Sequence, residues 1–141
     1  MGKNRQREGM TGRILIIEGE PSLSKELTSA LDEADFSVAA VPDFPDAMRK
    51  LADFKPDMVI MDAVLPSGDG MDACHQLRNT LGVPVVLIGS EDSSAELWER
   101  VMEAEADLYL VKPLRYWELV ARVKAILRRC SRMGVPRYQN E

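Results

Sequence analysis

Five short apolar runs, Ile14–Ile17, Phe36–Val41, Met58–Met61, Val83–Ile88 and Leu108–Val111, alternate along the chain with stretches whose apolar residues recur at helical spacing. This alternation constrains the fold more than any other feature. Each run is of strand length, rich in Val and Ile, and almost continuously apolar. That is the pattern of parallel strands covered on both faces. Pro21 opens the first helix, and Leu23, Leu27, Ala30 and Leu31 make its buried stripe. Ala47, Met48 and Leu51 mark the second helix, and Met71, Cys74 and Leu77 the third. The fourth is expected from about Ser93 to Ala104 with Leu97, Val101 and Trp98, and the fifth from about Tyr116 to Arg129 with Leu119, Val120, Val123, Ile126 and Leu127. Five βα units of this size predict an open α/β sheet. Ligands of such sheets sit at the carboxyl ends of the strands, so the residues that follow each strand carry the function.

The chain has 141 residues, one domain's worth. A chain of that length buries roughly two thirds of its unfolded surface, which makes a core without staples. It carries 18 Lys+Arg against 23 Asp+Glu, a net charge of −5, which argues against a dedicated nucleic-acid binder. Cys74 and Cys130 make no disulfide framework and have no zinc-ligand spacing. With His75 as the one histidine, a Ser-His-Asp triad or a histidine metal site has nothing to build on. Cys74 reads as core filler and His75 as a surface residue. Residues 1–12 are polar and basic, read as a disordered leader, and lack the apolar segment of a signal peptide. No run is long enough to span a bilayer, and with no signal peptide this points to the cytoplasm. The domain is expected over 13–130, with 131–141 a linker or tail.

The strand ends are chemically distinctive. The first reads Ile17-Glu18-Gly19-Glu20-Pro21, the third Met61-Asp62-Ala63-Val64-Leu65-Pro66 followed by Ser67-Gly68-Asp69-Gly70, the fourth Ile88-Gly89-Ser90 and the fifth Val111-Lys112-Pro113. Carboxylates, a hydroxyl and a lysine thus share one edge of the sheet. The set suits phosphoryl transfer to a carboxylate: an aspartate attacks and holds the group as an acyl phosphate. A divalent cation offsets the charge, a lysine pairs with the phosphoryl oxygens and a hydroxyl bonds another.

At these residues the chain resembles the receiver domain of two-component response regulators, over about Gly12 to Arg129. Three motifs in order carry the resemblance: Ile-Leu-Ile-Ile-Glu-x-Glu-Pro, Pro-Asp-Met-Val-Ile-Met-Asp-x-x-Leu-Pro-x-x-Asp-Gly, and Asp-Leu-Tyr-Leu-Val-Lys-Pro. The resemblance implies a flavodoxin-like (CheY-like) fold, a parallel sheet of order 2-1-3-4-5 with five surrounding helices. It implies Asp62 as phosphoacceptor, Lys112 as the phosphate-pairing lysine with a cis Lys112–Pro113 bond, and Tyr109 as the aromatic switch residue. Glu18 matches the first acidic position, and Val64 the position whose carbonyl completes an Mg2+ site with Glu18 and Asp62. The fifth helix looks like those that join a receiver to a winged-helix (OmpR-like) DNA-binding domain. No such domain follows within these residues: either the sequence stops at the linker or the protein is a lone receiver. DNA would then be reached only through an output domain beyond this sequence.

Three departures from the family pattern stand out. Gly19 occupies the second acidic position and removes one anionic ligand of the metal; Glu18 or Glu20 would have to reach in. At the switch hydroxyl, an ungapped fourth strand selects Gly89, whereas counting back from Lys112 selects Ser90. On the face made by the fourth helix, fifth strand and fifth helix, which forms a homodimer in the winged-helix class, Asp107, Glu118, Arg122 and Arg129 match the charge network. There Leu108 replaces an Asp, and Trp98 stands near a usual basic residue. Tyr116 and Trp117 would add apolar area, enough to support a dimer that does not wait for phosphate.

Two functions compete. One is a conventional Mg2+-dependent receiver phosphorylated on Asp62 by a histidine kinase. The other, favoured because of Gly19, is a degenerate receiver that regulates output, transcription above all, through dimerisation. Neither is an enzyme in the ordinary sense. A flavin-binding protein of the same topology is disfavoured because Glu18 and Glu20 would repel the flavin phosphate. An aspartyl phosphatase is disfavoured because Val64 stands where its second Asp belongs.

Overall fold

The computed structural model describes residues 12–132. Five parallel strands are β1 (Arg13–Ile17), β2 (Ser37–Val41), β3 (Met58–Asp62), β4 (Val85–Ser90) and β5 (Leu108–Lys112). They alternate with α1 (Pro21–Glu33), α2 (Phe44–Phe54), α3 (Met71–Leu81), α4 (Ala95–Glu103) and α5 (Tyr116–Arg132). The sheet order is β2-β1-β3-β4-β5, as the resemblance implies, and all four pairings are parallel. A two-residue antiparallel hairpin, Val64–Leu65 against Gly68–Asp69, stands outside this sheet in the β3–α3 connection.

Alternation along the strands divides the core in two. Leu15, Ile17, Val59, Met61, Val85 and Leu87 pack toward α2, α3 and α4. Ile14, Ile16, Met58, Ile60, Val86 and Ile88 pack toward α1 and α5. The division also sorts the residues at the strand ends. Glu18, Asp62, Ser90 and Lys112 each lie two residues beyond a side chain on the α1/α5 face, or pair with one that does. Gly89 and Tyr109 belong to the opposite face.

Several boundaries differ from the sequence reading, each for a local reason. Phe36 is a turn residue: its N–H bonds back to the Leu31 carbonyl, and β2 begins at Ser37, whose N–H reaches Gly12 O. Gly12, placed in the leader, is therefore buried and part of the body. β4 begins after Pro84, which has no N–H to give and contributes only its carbonyl, to Val59 N. α4 begins at Ala95 because the Ser94 hydroxyl caps it, accepting from Leu97 N at 3.1 Å. α5 continues to Arg132, past the expected boundary at 130, so the first two residues of the expected linker are helical. Met48, expected in the stripe of α2, is exposed; Ala47 and Leu51 carry that face. Residues 1–11 of the expected leader and 133–141 of the expected linker lie outside the described residues.

The sheet is pinned at its amino end by Asp57, which is 8% exposed. Its Oδ2 accepts from Arg13 N at 2.9 Å while its own N–H donates to Arg13 O at 2.7 Å. Asp57→Ala takes the side-chain acceptor from the part-buried Arg13 N–H. A loss of about 1–3 kcal/mol is expected in urea unfolding, with an unchanged m-value.

Candidate functional site

Four strand ends converge on one pocket. Asp62 closes β3 and is 6% exposed, because β1 and β4 flank it on either side. Its Oδ2 receives the Lys112 ammonium at 2.9 Å, and its Oδ1 receives Val64 N at 2.9 Å. Burial pulls the Lys112 pKa down. The hydrogen bond and charge of Asp62, with the charges of Glu18 and Glu20, more than offset it and hold Lys112 above its usual value. The Lys112–Pro113 peptide is cis, as the resemblance implies. Ser90 is the direct register partner of Lys112. Of the two candidates for the hydroxyl position, strand alternation puts Ser90 on the face of Asp62 and Lys112 and turns Gly89 toward α4. The Ser90 hydroxyl itself bonds Asp92.

Glu18, at the end of β1, is 4% exposed. Glu20 N donates to its Oε2 at 3.1 Å, whereas its Oε1 is buried with no partner. Burial above all, then the neighbouring Asp62 carboxylate, push its pKa up to about 7, against the lowering effect of Glu20 N and Lys112. Two carboxylates thus face a single ammonium. Near neutral pH a proton on Glu18 relieves the excess negative charge.

The same atoms test the implied Mg2+. An orphaned, buried carboxylate oxygen is the kind of atom a cation would satisfy, and Glu18, Asp62 and the Val64 carbonyl position are the available donors. Gly19 adds none. Glu20 is exposed, and its carboxylate accepts from the Ser22 hydroxyl at 3.2 Å, so it does not reach in. Among the described residues no group of three or more His, Cys, Asp or Glu side chains is assembled to hold a metal. With Gly19 the site keeps two carboxylates, Glu18 and Asp62, one fewer than the family pattern, and Mg2+ is commonly held by one or two carboxylates with water completing its shell.

The sequence reading missed the walls of the pocket. Two loops close over Gly19: a Cβ there would lie 3.0 Å from Pro66 Cδ and 3.6 Å from Pro42 O. Asp43 clasps these loops together, capping α2 through Phe44 N and accepting from the Ser67 hydroxyl at 2.8 Å. Gly70, quoted above only as part of a motif, has a steric task. A Cβ on it would lie 2.8 Å from the Asp62 carbonyl, and its N–H bonds Ala63 O. Glycine there lets the chain return against the backbone that carries Asp62. The Asp-Gly pair in the sequence was the available signal.

The expected dimer-face residues are partly engaged within the chain. Asp107 holds Arg78 of α3 and accepts from Val85 N at 2.8 Å, which ties β5 to β4. Glu118 and Arg122 pair with each other on α5 at 3.2 Å. Leu108 packs against the α1/α5 core, and Tyr116 turns to α1, where its hydroxyl meets Glu26 at 2.8 Å. Tyr116 is therefore not part of the apolar area expected of it. Arg129 is exposed, and Trp117 is 73% exposed. Trp98 packs partly into the core beside Gly89. Cys74 is fully buried, with burial pushing its thiol up to about 11, and His75 is exposed.

Glu18 supplies a pH test. Its folded pKa is raised, so its contribution is fully favourable below about 4.5 and turns against folding as pH rises through about 7. Glu18→Gln is expected to stabilise the protein at pH 8 by about 1–3 kcal/mol, and to show little gain at pH 5, in urea titrations at both pH values.

Comparison with known proteins agrees with this geometry. The profile of the response regulator receiver domain matches residues 14–124. DNA-binding response regulator MtrA of Mycolicibacterium smegmatis is 38% identical over 120 residues, covering 85% of this chain and 52% of the relative. Response regulator protein GraR of Staphylococcus epidermidis is 36% identical over 123 residues, covering 87% of this chain and 54% of the relative. The chain thus spans about half the length of these relatives. Among solved structures, a two-component response regulator from Clostridium difficile superposes with a TM-score of 0.75 at 32% identity, covering 83% of this chain and 96% of that one. The BeF3-activated receiver domain of RstA from Klebsiella pneumoniae gives 0.73 at 32% identity, covering 82% and 98%. With its three motifs at the ends of β1, β3 and β5, and with these matches, the chain belongs to the response regulator receiver domain family.

Proposed function

We propose that this receiver regulates its output by pairing two copies through the face of α4, β5 and α5, without requiring phosphate on Asp62. The observation that carries this reading is Gly19. Beside it a buried Glu18 oxygen stands unpartnered and the acidic set lacks one metal ligand. The output face supports the same reading: Met102 is 59%, Val111 43% and Trp117 73% exposed. A concave surface of about 510 Å3 lies between β5 and α5, lined by Tyr109, Val111, Glu118 and Arg122 among others. With Asp107, Glu118 and Arg122 partnered internally, apolar area takes a larger share of the contact than charge pairs do. The output is transcription, exerted in the cytoplasm through a DNA-binding region of the kind the name of the MtrA relative implies. No described helix is long and apolar enough to cross a membrane.

A second reading has its own support. Asp62, Lys112 and Ser90 share one sheet face in the arrangement that acyl-phosphate chemistry on an aspartate needs. On that reading a histidine kinase phosphorylates Asp62 with Mg2+ present, and Ser90 bonds the phosphoryl group.

Light scattering separates the two. The expected result is a dimer mass for wild type and Asp62→Ala alike, unchanged by acetyl phosphate with Mg2+. A monomer that dimerises only with the phosphodonor would establish the second reading instead.

Gly19→Asp restores the missing carboxylate, at the cost of moving the Pro66 ring by a few tenths of an ångström. Calorimetric titration should show Mg2+ binding at least about tenfold tighter than wild type, equivalent to about 1.4 kcal/mol.

A further inference from the structure

Helix α4 is held near both ends by an aromatic side chain, and both holds lie on the sheet face away from Asp62. In its first turns Trp98 lays its indole on Gly89. A Cβ on Gly89 would lie 3.1 Å from Trp98 Cη2 and 3.5 Å from Cζ2, so the ring fills the space a side chain would take. The loop between them is short and tied: Ser93 N bonds Ser90 O at 3.1 Å, and the Ser94 hydroxyl caps the helix. Tyr109 makes the second hold, at the far end. Its hydroxyl donates to Met102 O at 3.3 Å and accepts from Ala106 N at 3.0 Å. Residues 102 and 106 are the carbonyl and N–H that one more helical bond would join. Glu105, at φ 61°, ends the helix before that bond forms, and the tyrosine hydroxyl bridges the gap. Turning the ring away would give the exposed Met102 carbonyl to water and take its partner from the part-buried Ala106 N–H.

We propose that Trp98 and Tyr109 are two struts that fix α4 in one position on the sheet, so that it does not respond to the state of the Asp62 pocket. Ser90 and Lys112 lie on one face of their strands, while Gly89 and Tyr109 lie on the other. The pocket and the struts therefore lie on opposite faces of the sheet, and the short loop that follows Ser90 is the link between them. Tyr109 serves here as a structural bridge, not as the rotating switch expected from the resemblance. The proposal deepens the phosphate-independent reading, since a central helix that does not move leaves the output face always formed. Its test uses neither metal nor phosphate, and so can fail or succeed independently of that reading.

The test is amide hydrogen exchange at Leu97, Trp98 and Val101, with the emission of Trp98 followed in a Trp117→Phe background. Lys112→Ala and Asp62→Asn, which break the pocket pair, are expected to change α4 exchange by less than about twofold and to leave the Trp98 emission maximum in place. Trp98→Leu and Tyr109→Phe are expected to speed α4 exchange by about tenfold or more, while β1 and β3 keep their rates. Gly89→Ala should shift Trp98 emission to the red; Trp98→Leu, which adds no bulk, guards against loss of the fold. Faster α4 exchange in Lys112→Ala with both struts present, or unchanged exchange in both Trp98→Leu and Tyr109→Phe, would overturn the proposal.

Discussion

Two buried carboxylates, Glu18 and Asp62, stand at the carboxyl edge of the sheet with one ammonium, Lys112, which pairs with Asp62. That imbalance of charge governs the rest of the site. Glu18 takes up a proton near neutral pH because its burial is not offset by a second cation. Lys112 is drawn onto Asp62 because no other positive group competes for it among the site residues. The loops around them close tightly because Gly19 has no side chain to hold them apart, and the Asp43–Ser67 clasp joins them above it. A receiver with a full acidic set would carry more negative charge here and would need a metal to offset it. In this chain Lys112 bonds Asp62, and burial favours the protonated form of Glu18.

The sheet makes this arrangement possible by keeping two sets of residues apart. Every strand end delivers one residue to the α1/α5 side and the next to the α3/α4 side. The pocket residues fall on the first side; Gly89, Trp98 and Tyr109 fall on the second. A shift of one residue in β4 would exchange Ser90 for Gly89 in the pocket and drive a hydroxyl into the indole. The register between β4 and β5 therefore decides both what chemistry the pocket can do and how α4 is seated.

Much of this was legible along the chain. Apolar alternation located all five strands and five helices, with errors of one or two residues where Pro84, Phe36 and the Ser94 cap set the true limits. Motif order placed Asp62, Lys112 and Glu18 on one edge, where Lys112 bonds Asp62 and Glu18 bonds Glu20 N. The output face was less legible. Asp107, Glu118, Arg122 and Tyr116 read as surface groups available to a second copy. Yet Asp107 is held by Arg78 and Val85, Glu118 and Arg122 hold each other, and Tyr116 is held by Glu26. A charge in a sequence does not say whether its partner lies in the same chain.

The sequence by itself determined the α/β sheet, the family and the missing carboxylate at Gly19. These depend on residue type and spacing, which a linear reading contains. The tertiary structure alone decided that Ser90, not Gly89, lies on the sheet face of Asp62. It also decided that Glu20 turns away to Ser22, that Gly70 must be small beneath the Asp62 carbonyl, and that Tyr109 bridges the end of α4. Each of these depends on which face of a strand a residue takes and on how its side chain or backbone is set against its surroundings. Register and packing fix such orientations even between residues close in the chain, and residue type and spacing do not record them.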